Sequence, residues 1–200
     1  MAARSETGRA GAGNPIAGRR AHSREHLLRY RLAVVGSNAV EVTRSIGGFV
    51  CDRTMAGWEV TVVLADASDT SGARSLEILG ATVLDLEASL STPVHDIWPH
   101  AVAIAPELYT TDARVRRGVL ECLDHGLIEV ALCDGDLPAE LAGRLDVVQH
   151  RLSVAARAFK RAALAAAGVA TAEIGGTERL RCGELLLTGP WGGADLISAG

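Results

Sequence analysis

Apolar positions fall into two patterns that alternate along the chain. Short apolar runs over 32–35, 59–65, 82–86, 101–105 and 128–133 read as strands, being too short for helices and bounded by glycine or polar residues. Between them, apolar residues recur three and four apart. Val42, Ile46, Phe49 and Val50 share one helix face, while Arg44, Asp52 and Arg53 point elsewhere. A short helix is expected over 73–79, stopped by Gly80, and another is marked by Val115, Val119, Cys122 and Leu123. Thr111 or Asp112 would cap the start of that second helix. A long alanine-rich helix is expected over 147–167, with Leu152, Ala156, Phe159 and Ala163 on its apolar stripe. Residues 87–99, which include His95 and Trp98, read as a polar connection, and 106–111 as a loop. The run 185–187 reads as an edge strand or a partner surface, and the stretch from Trp191 onward as loop.

Strands and helices alternating at this length predict an α/β fold: a Rossmann-like, doubly wound, mainly parallel sheet of about five or six strands with flanking helices. The run 32–35 shows no polar alternation, so it is expected to be buried on both faces at the sheet centre. Three segments follow: a disordered basic tail over 1–30, a single domain over 31–190 and a terminal loop or tail over 191–200. Ligands of such sheets bind beyond the carboxyl ends of the strands. Those ends carry residues 37–41, 66–68, 107–112 and 134–136, which predicts a polar, acidic pocket. Gly47 and Gly48 sit inside a helix, where each costs about 1 kcal/mol relative to alanine. A neighbour must approach closely there, or a site must open beside the helix.

Composition changes the picture in a few places. No apolar run approaches the roughly 18 to 20 residues that cross a bilayer, so no membrane span is expected. The N-terminal stretch is arginine-rich and has no apolar core for a secretory signal; a cytoplasmic location is expected. Cys51, Cys122, Cys133 and Cys182 are far apart and flanked by apolar residues, which reads as buried free thiols in a reducing compartment. Residues 1–31 carry a net charge of +5 within a chain of net −4. A solvated tail explains that excess, and nucleic-acid binding is not expected. His22 and His26 could share a helix face but have no third ligand nearby. Lys160 is the single lysine among twenty cationic residues, a bias that reflects codon usage rather than phosphate binding.

Several motifs resemble the PIG-L or LmbE-like family. Ser37-Asn38-Ala39-Val40-Glu41-Val42 stands where that family carries A-H-P-D-D-E, Gly47-Gly48 follows at the family's interval, and Gly57-Trp58-Glu59-Val60 resembles its G-H-E-V strand start. Arg74-Ser75-Leu76-Glu77-Ile78-Leu79-Gly80 is similar to a family helix ending in L-G. Thr110-Thr111-Asp112-Ala113-Arg114-Val115-Arg116 lies where the family has a motif resembling H-P-D-H-R-A-V. The late helix with Lys160, and the stretch Cys182-Gly183-Glu184, loosely suit the family's ending. The resemblance spans about 32–187. It implies a Rossmann-like fold and a zinc-dependent deacetylase acting on N-acetylglucosamine-type groups.

By that resemblance the zinc ligands fall at Asn38, Glu41 and Ala113, the general base at Val40, and the histidine that assists the tetrahedral intermediate at Thr110. Of these positions only Glu41 could still hold a metal; Asp112 and Arg114 match the motif. A hydrolytic zinc needs about three protein ligands and an open position. The expectation is therefore a non-catalytic relative, a cytoplasmic binding or regulatory module for a protein partner or a small sugar-like ligand, with no cofactor. Its pocket would be lined by Asn38, Glu41, Asp66, Thr110, Asp112 and Arg114. One alternative is a metal-dependent deacetylase with zinc on ligands drawn from Glu41, Asp66, Asp112, Asp134 or His95. Another is a nucleotide or nucleotide-sugar binder with Asp66 or Glu107 on a ribose, although Gly36 to Glu41 lacks the further glycines of a dinucleotide loop. The oligomeric state is left open.

Overall fold

The β-α-β unit forms as the apolar pattern predicts: β1 (Arg31–Gly36), α1 (Ala39–Met55) and β2 (Glu59–Leu64). The computed structural model describes residues 30–91, 98–126, 128–170, 173–183 and 196–198. β1 and β2 pair in parallel, from Arg31 opposite Glu59 to Gly36 opposite Leu64. There follow α2 (Thr70–Ile78), β3 (Thr82–Asp85), α3 (Leu86–Ser91), β4 (Ala101–Ile104), α4 (Pro106–Thr111) and α5 (Ala113–His125). The chain continues through β5 (Glu129–Cys133), a single 3-10 turn at Ala139–Leu141, β6 (Asp146–Arg151), α6 (Val154–Ala166), β7 (Thr177–Cys182) and β8 (Leu196–Ser198).

The eight strands among the described residues join one sheet in the order β3-β2-β1-β4-β5-β7-β6-β8. The first five run parallel, and β7, β6 and β8 extend the sheet with antiparallel pairings. The fold is thus α/β with a parallel centre and an antiparallel flank. Between β1 and β4 the winding reverses, the place where open α/β sheets form their crevice.

Two cores lie on opposite faces. The larger joins Leu32, Val34, Ile46, Phe49, Val62 and Leu76 to Leu152, Ala156 and Leu180, with α6 packed on α1 and α2. The smaller gathers Ile104, Tyr109, Val119, Cys122, Val130 and Leu132 beneath α5. β1 is buried on one face and half-buried on the other, because α5 covers β5 more than β1. The strand buried at every position is β5, so the expectation for 32–35 holds on one face only.

Four expected segments take a different form. The segment 147–167 is not one helix: Asp146–Arg151 is β6, and the helix begins only at Val154. Val148 and His150 alternate inward as a strand requires, and Ser153 caps the new helix by accepting from Ala156 N at 2.9 Å. On α6 the buried residues are Ala156, Lys160, Ala163 and Leu164, whereas Phe159 is exposed. Residues 106–111 are helical, started by Pro106 in the first turn, and part of the 87–99 connection forms the end of α3. Leu196–Ser198, expected as loop, pairs with β6. The tail over 1–29, with His22 and His26, and likewise His95, the run 185–187 and Trp191, lie outside the described residues.

Candidate functional site

α1 is bent, and the bend organises its surroundings. Ile46 has φ −132° and ψ 19°, outside the helical region. At this point the helical rung that would join Gly48 N–H to Arg44 C=O is entered by an ion pair. Lys160 Nζ donates to Arg44 O at 2.5 Å and to Glu178 Oε1 at 2.6 Å. Glu178 in turn accepts from Gly48 N at 2.8 Å and from Phe49 N at 2.7 Å. A side-chain insertion of this kind is a recognised cause of a kink. Both charged residues are buried, Lys160 to 6 % exposure and Glu178 to 5 %; each has its opposite charge and further hydrogen bonds, which is what makes burial tolerable.

The two glycines make the insertion possible. A Cβ on Gly47 would lie 3.2 Å from Leu79 Cδ1 and 3.6 Å from the Lys160 stem. One on Gly48 would lie 2.7 Å from Leu152 Cδ1 and 3.0 Å from Glu178 Oε1. The close approach expected at these glycines comes from α6, from Leu152 and from β7, and the same side chains form a wall of a cleft.

That cleft, of about 930 Å³, opens at the carboxyl ends of the central strands. Glu41, Arg44 and Ser45 come from the first half of α1, Pro106, Glu107 and Thr110 follow β4, and Cys133, Asp134 and Asp136 follow β5. Because β7 runs antiparallel to β5, its first residues reach the same edge, where Glu178 and Arg179 complete the lining with Lys160 and Glu173. Carboxylates outnumber cations around it, as the strand ends predict. Cys133 is there too, but burial pushes its thiol up to about 12, so it stays protonated and weakly nucleophilic. Ser45 Oγ donates to Glu41 O at 2.9 Å.

Of the six residues expected to line the pocket, Glu41 and Thr110 do so. Asn38 instead caps α1, its side-chain oxygen accepting from Glu41 N at 3.0 Å. Asp66 closes a turn by accepting from Ser68 N at 3.0 Å and from Ser68 Oγ at 2.6 Å, bonds that lower its pKa. Asp112 caps α5 by accepting from Arg114 N at 2.8 Å, and the Arg114 guanidinium joins Asp112 to Glu87 on the surface. Those bonds hold the Asp112 carboxyl down at about 2. The residues that the sequence did not place in a site are Lys160, Glu178, Arg44 and Ser45. Their one sequence signal was the glycine pair and the lone lysine taken together.

The zinc that the family resemblance implies does not fit these residues. Asn38 uses its oxygen on the helix cap, Ala113 has no donor atom, and among the described residues no three His, Cys, Asp or Glu side chains converge as a metal-binding group.

Known structures match the fold. The chain aligns with a teicoplanin deacetylase in complex with teicoplanin at a TM-score of 0.53 and 12% identity, over 76% of this chain and 97% of that one. The zinc-inhibited form of teicoplanin deacetylase Orf2 gives 0.53 at 10% identity, with the same coverage of both chains. A triple mutant of the teicoplanin pathway deacetylase gives 0.51 at 11%, over 68% of this chain and 81% of that one. The chain has the fold of the teicoplanin deacetylases. No protein-family model matches it, and no curated protein matches it in sequence.

Proposed function

We propose that the protein is a non-hydrolytic relative of the PIG-L or LmbE-like deacetylases that binds a polar, sugar-like ligand in the cleft. The observation that carries this reading is the fate of the motif positions. Asn38 serves as a helix cap and Ala113 offers no donor, while the cleft beside them stays open and polar. A pocket of hydroxyl, carboxylate and cationic groups suits a ligand rich in hydroxyls and amides. The buried free thiols among the described residues suit action in the reducing cytoplasm. Of the two ribose candidates, Asp66 is tied to Ser68 and lies outside the cleft lining, whereas Glu107 lines it.

The test joins binding to turnover. N-acetylglucosamine, glucosamine, glucose and a panel of nucleotides are added to the purified protein with and without one equivalent of zinc, following thermal stability and acetate release by NMR. The expected result is a ligand-dependent rise in Tm with no acetate. Acetate release that needs zinc and disappears in Glu41→Ala would replace this reading with a hydrolase using relocated ligands. Stabilisation by nucleotides but by none of the sugars would replace it with nucleotide binding.

A further inference from the structure

Lys160 has more donors than its neighbours use. An ammonium carries three hydrogens, and among the described residues two have acceptors, Arg44 O and Glu178 Oε1. The side chain lines the cleft although it is almost wholly buried. Its position is fixed from both sides: the stem lies against Gly47, and the head is held by the helix rung and by a carboxylate that is itself pinned to Gly48 N and Phe49 N. A donor held this way loses little freedom when a ligand arrives.

We infer that Lys160 is the anchoring donor of the cleft, giving its third hydrogen to an uncharged acceptor oxygen of the ligand, an amide carbonyl or a hydroxyl. This rests on the binding role proposed above and names the group that recognises the ligand. Charge decides for an uncharged acceptor over an anion. Glu41, Glu107, Asp134, Asp136, Glu173 and Glu178 outnumber Arg44, Lys160 and Arg179 around the cleft, so an anionic ligand meets net repulsion. Glu178 already neutralises the ammonium at 2.6 Å, which leaves Lys160 a directional donor more than a free charge. An amine elsewhere on the ligand would find carboxylates to meet.

The chain's single lysine makes this directly measurable. Protein labelled with 15N-lysine carries one side-chain ammonium resonance, which is followed together with the backbone amides during additions of N-acetylglucosamine, glucose and acetamide. The expected result is a saturating shift of the Lys160 Nζ signal along with amides of the cleft, and binding of N-acetylglucosamine about tenfold weaker in Lys160→Met/Glu178→Gln. Cleft amides that shift while the Nζ signal stays still, or equal affinity in a folded double variant, would overturn the anchoring role and leave the binding reading standing. If no sugar moves any cleft amide, the binding reading falls, and acetamide alone decides on Lys160. A shift of Nζ with that fragment sustains the free donor; no shift up to molar concentration refutes it.

Discussion

At Gly48 one added carbon would lie 2.7 Å from Leu152 Cδ1 and 3.0 Å from the Glu178 carboxylate. Gly48→Ala is therefore expected to destabilise the protein by about 1–3 kcal/mol, the usual range for overpacking. Gly47→Ala meets only side-chain atoms at 3.2 Å or more and regains up to about 1 kcal/mol of helix propensity, so it should lie much closer to the parent. Urea denaturation of the two variants checks the ordering. The ion pair behaves asymmetrically for the same reason. Glu178→Ala strands a buried ammonium and the N–H groups of Gly48 and Phe49, which should destabilise by about 3–5 kcal/mol. Replacing both members with the Met/Gln pair should lose less than that, since no unpaired charge remains. The glycine pair was legible in the sequence as a demand for space. That a lysine and a glutamate fill it was not, because they lie 112 and 130 positions further along the chain.

Among the elements, α5 shows most clearly how motif residues serve the backbone. Asp112 receives Arg114 N and Val115 N at the helix start, and Gly126 ends the helix in the left-handed conformation at φ 59°, where glycine is free of strain. Asp112→Ala should remove about 1 kcal/mol. The folded carboxyl titrates at about 2, below its unfolded value near 3.9. Its contribution is thus present above about pH 4 and lost as pH falls toward 2, and the alanine variant should lack this acid-side decline in a thermal-melt series. The helical faces of α1 and α5 could be read from spacing because their apolar residues repeat cleanly. β6 could not: its apolar residues run without a glycine or proline into the alanine-rich helix, and only Ser153 marks the change. α6 misled in another way, since its buried stripe includes a lysine where an apolar residue was expected.

Across the whole molecule, the alternating pattern gave away the parallel centre, whose strands are local in sequence and joined by helices. The antiparallel flank was hidden, because β7 is the polar-rich TERLRC and enters the sheet between β5 and β6, a position that no local pattern specifies. At the amino ends of the central strands, away from the cleft, Glu129 opens β5, buried and with Oε2 unpartnered among the described residues. Burial lifts its pKa to about 7. The folded state therefore holds this proton more tightly than the unfolded chain, so global stability is greatest below about pH 4.3 as far as this group is concerned and declines as pH rises through 7. Glu129→Gln should flatten that decline in denaturation curves taken between pH 5 and 8. The ion pair in the α1 bend also bears on how the molecule assembles. The contacts of Glu178 with Gly48 and Phe49 close a loop of about 130 positions, and contacts so distant in sequence are the slow ones to form. Until β7 docks, the bent helix has neither its carboxylate nor the fixed lysine. The cleft wall is therefore complete only once β7 has docked, and ligand recognition waits for that strand.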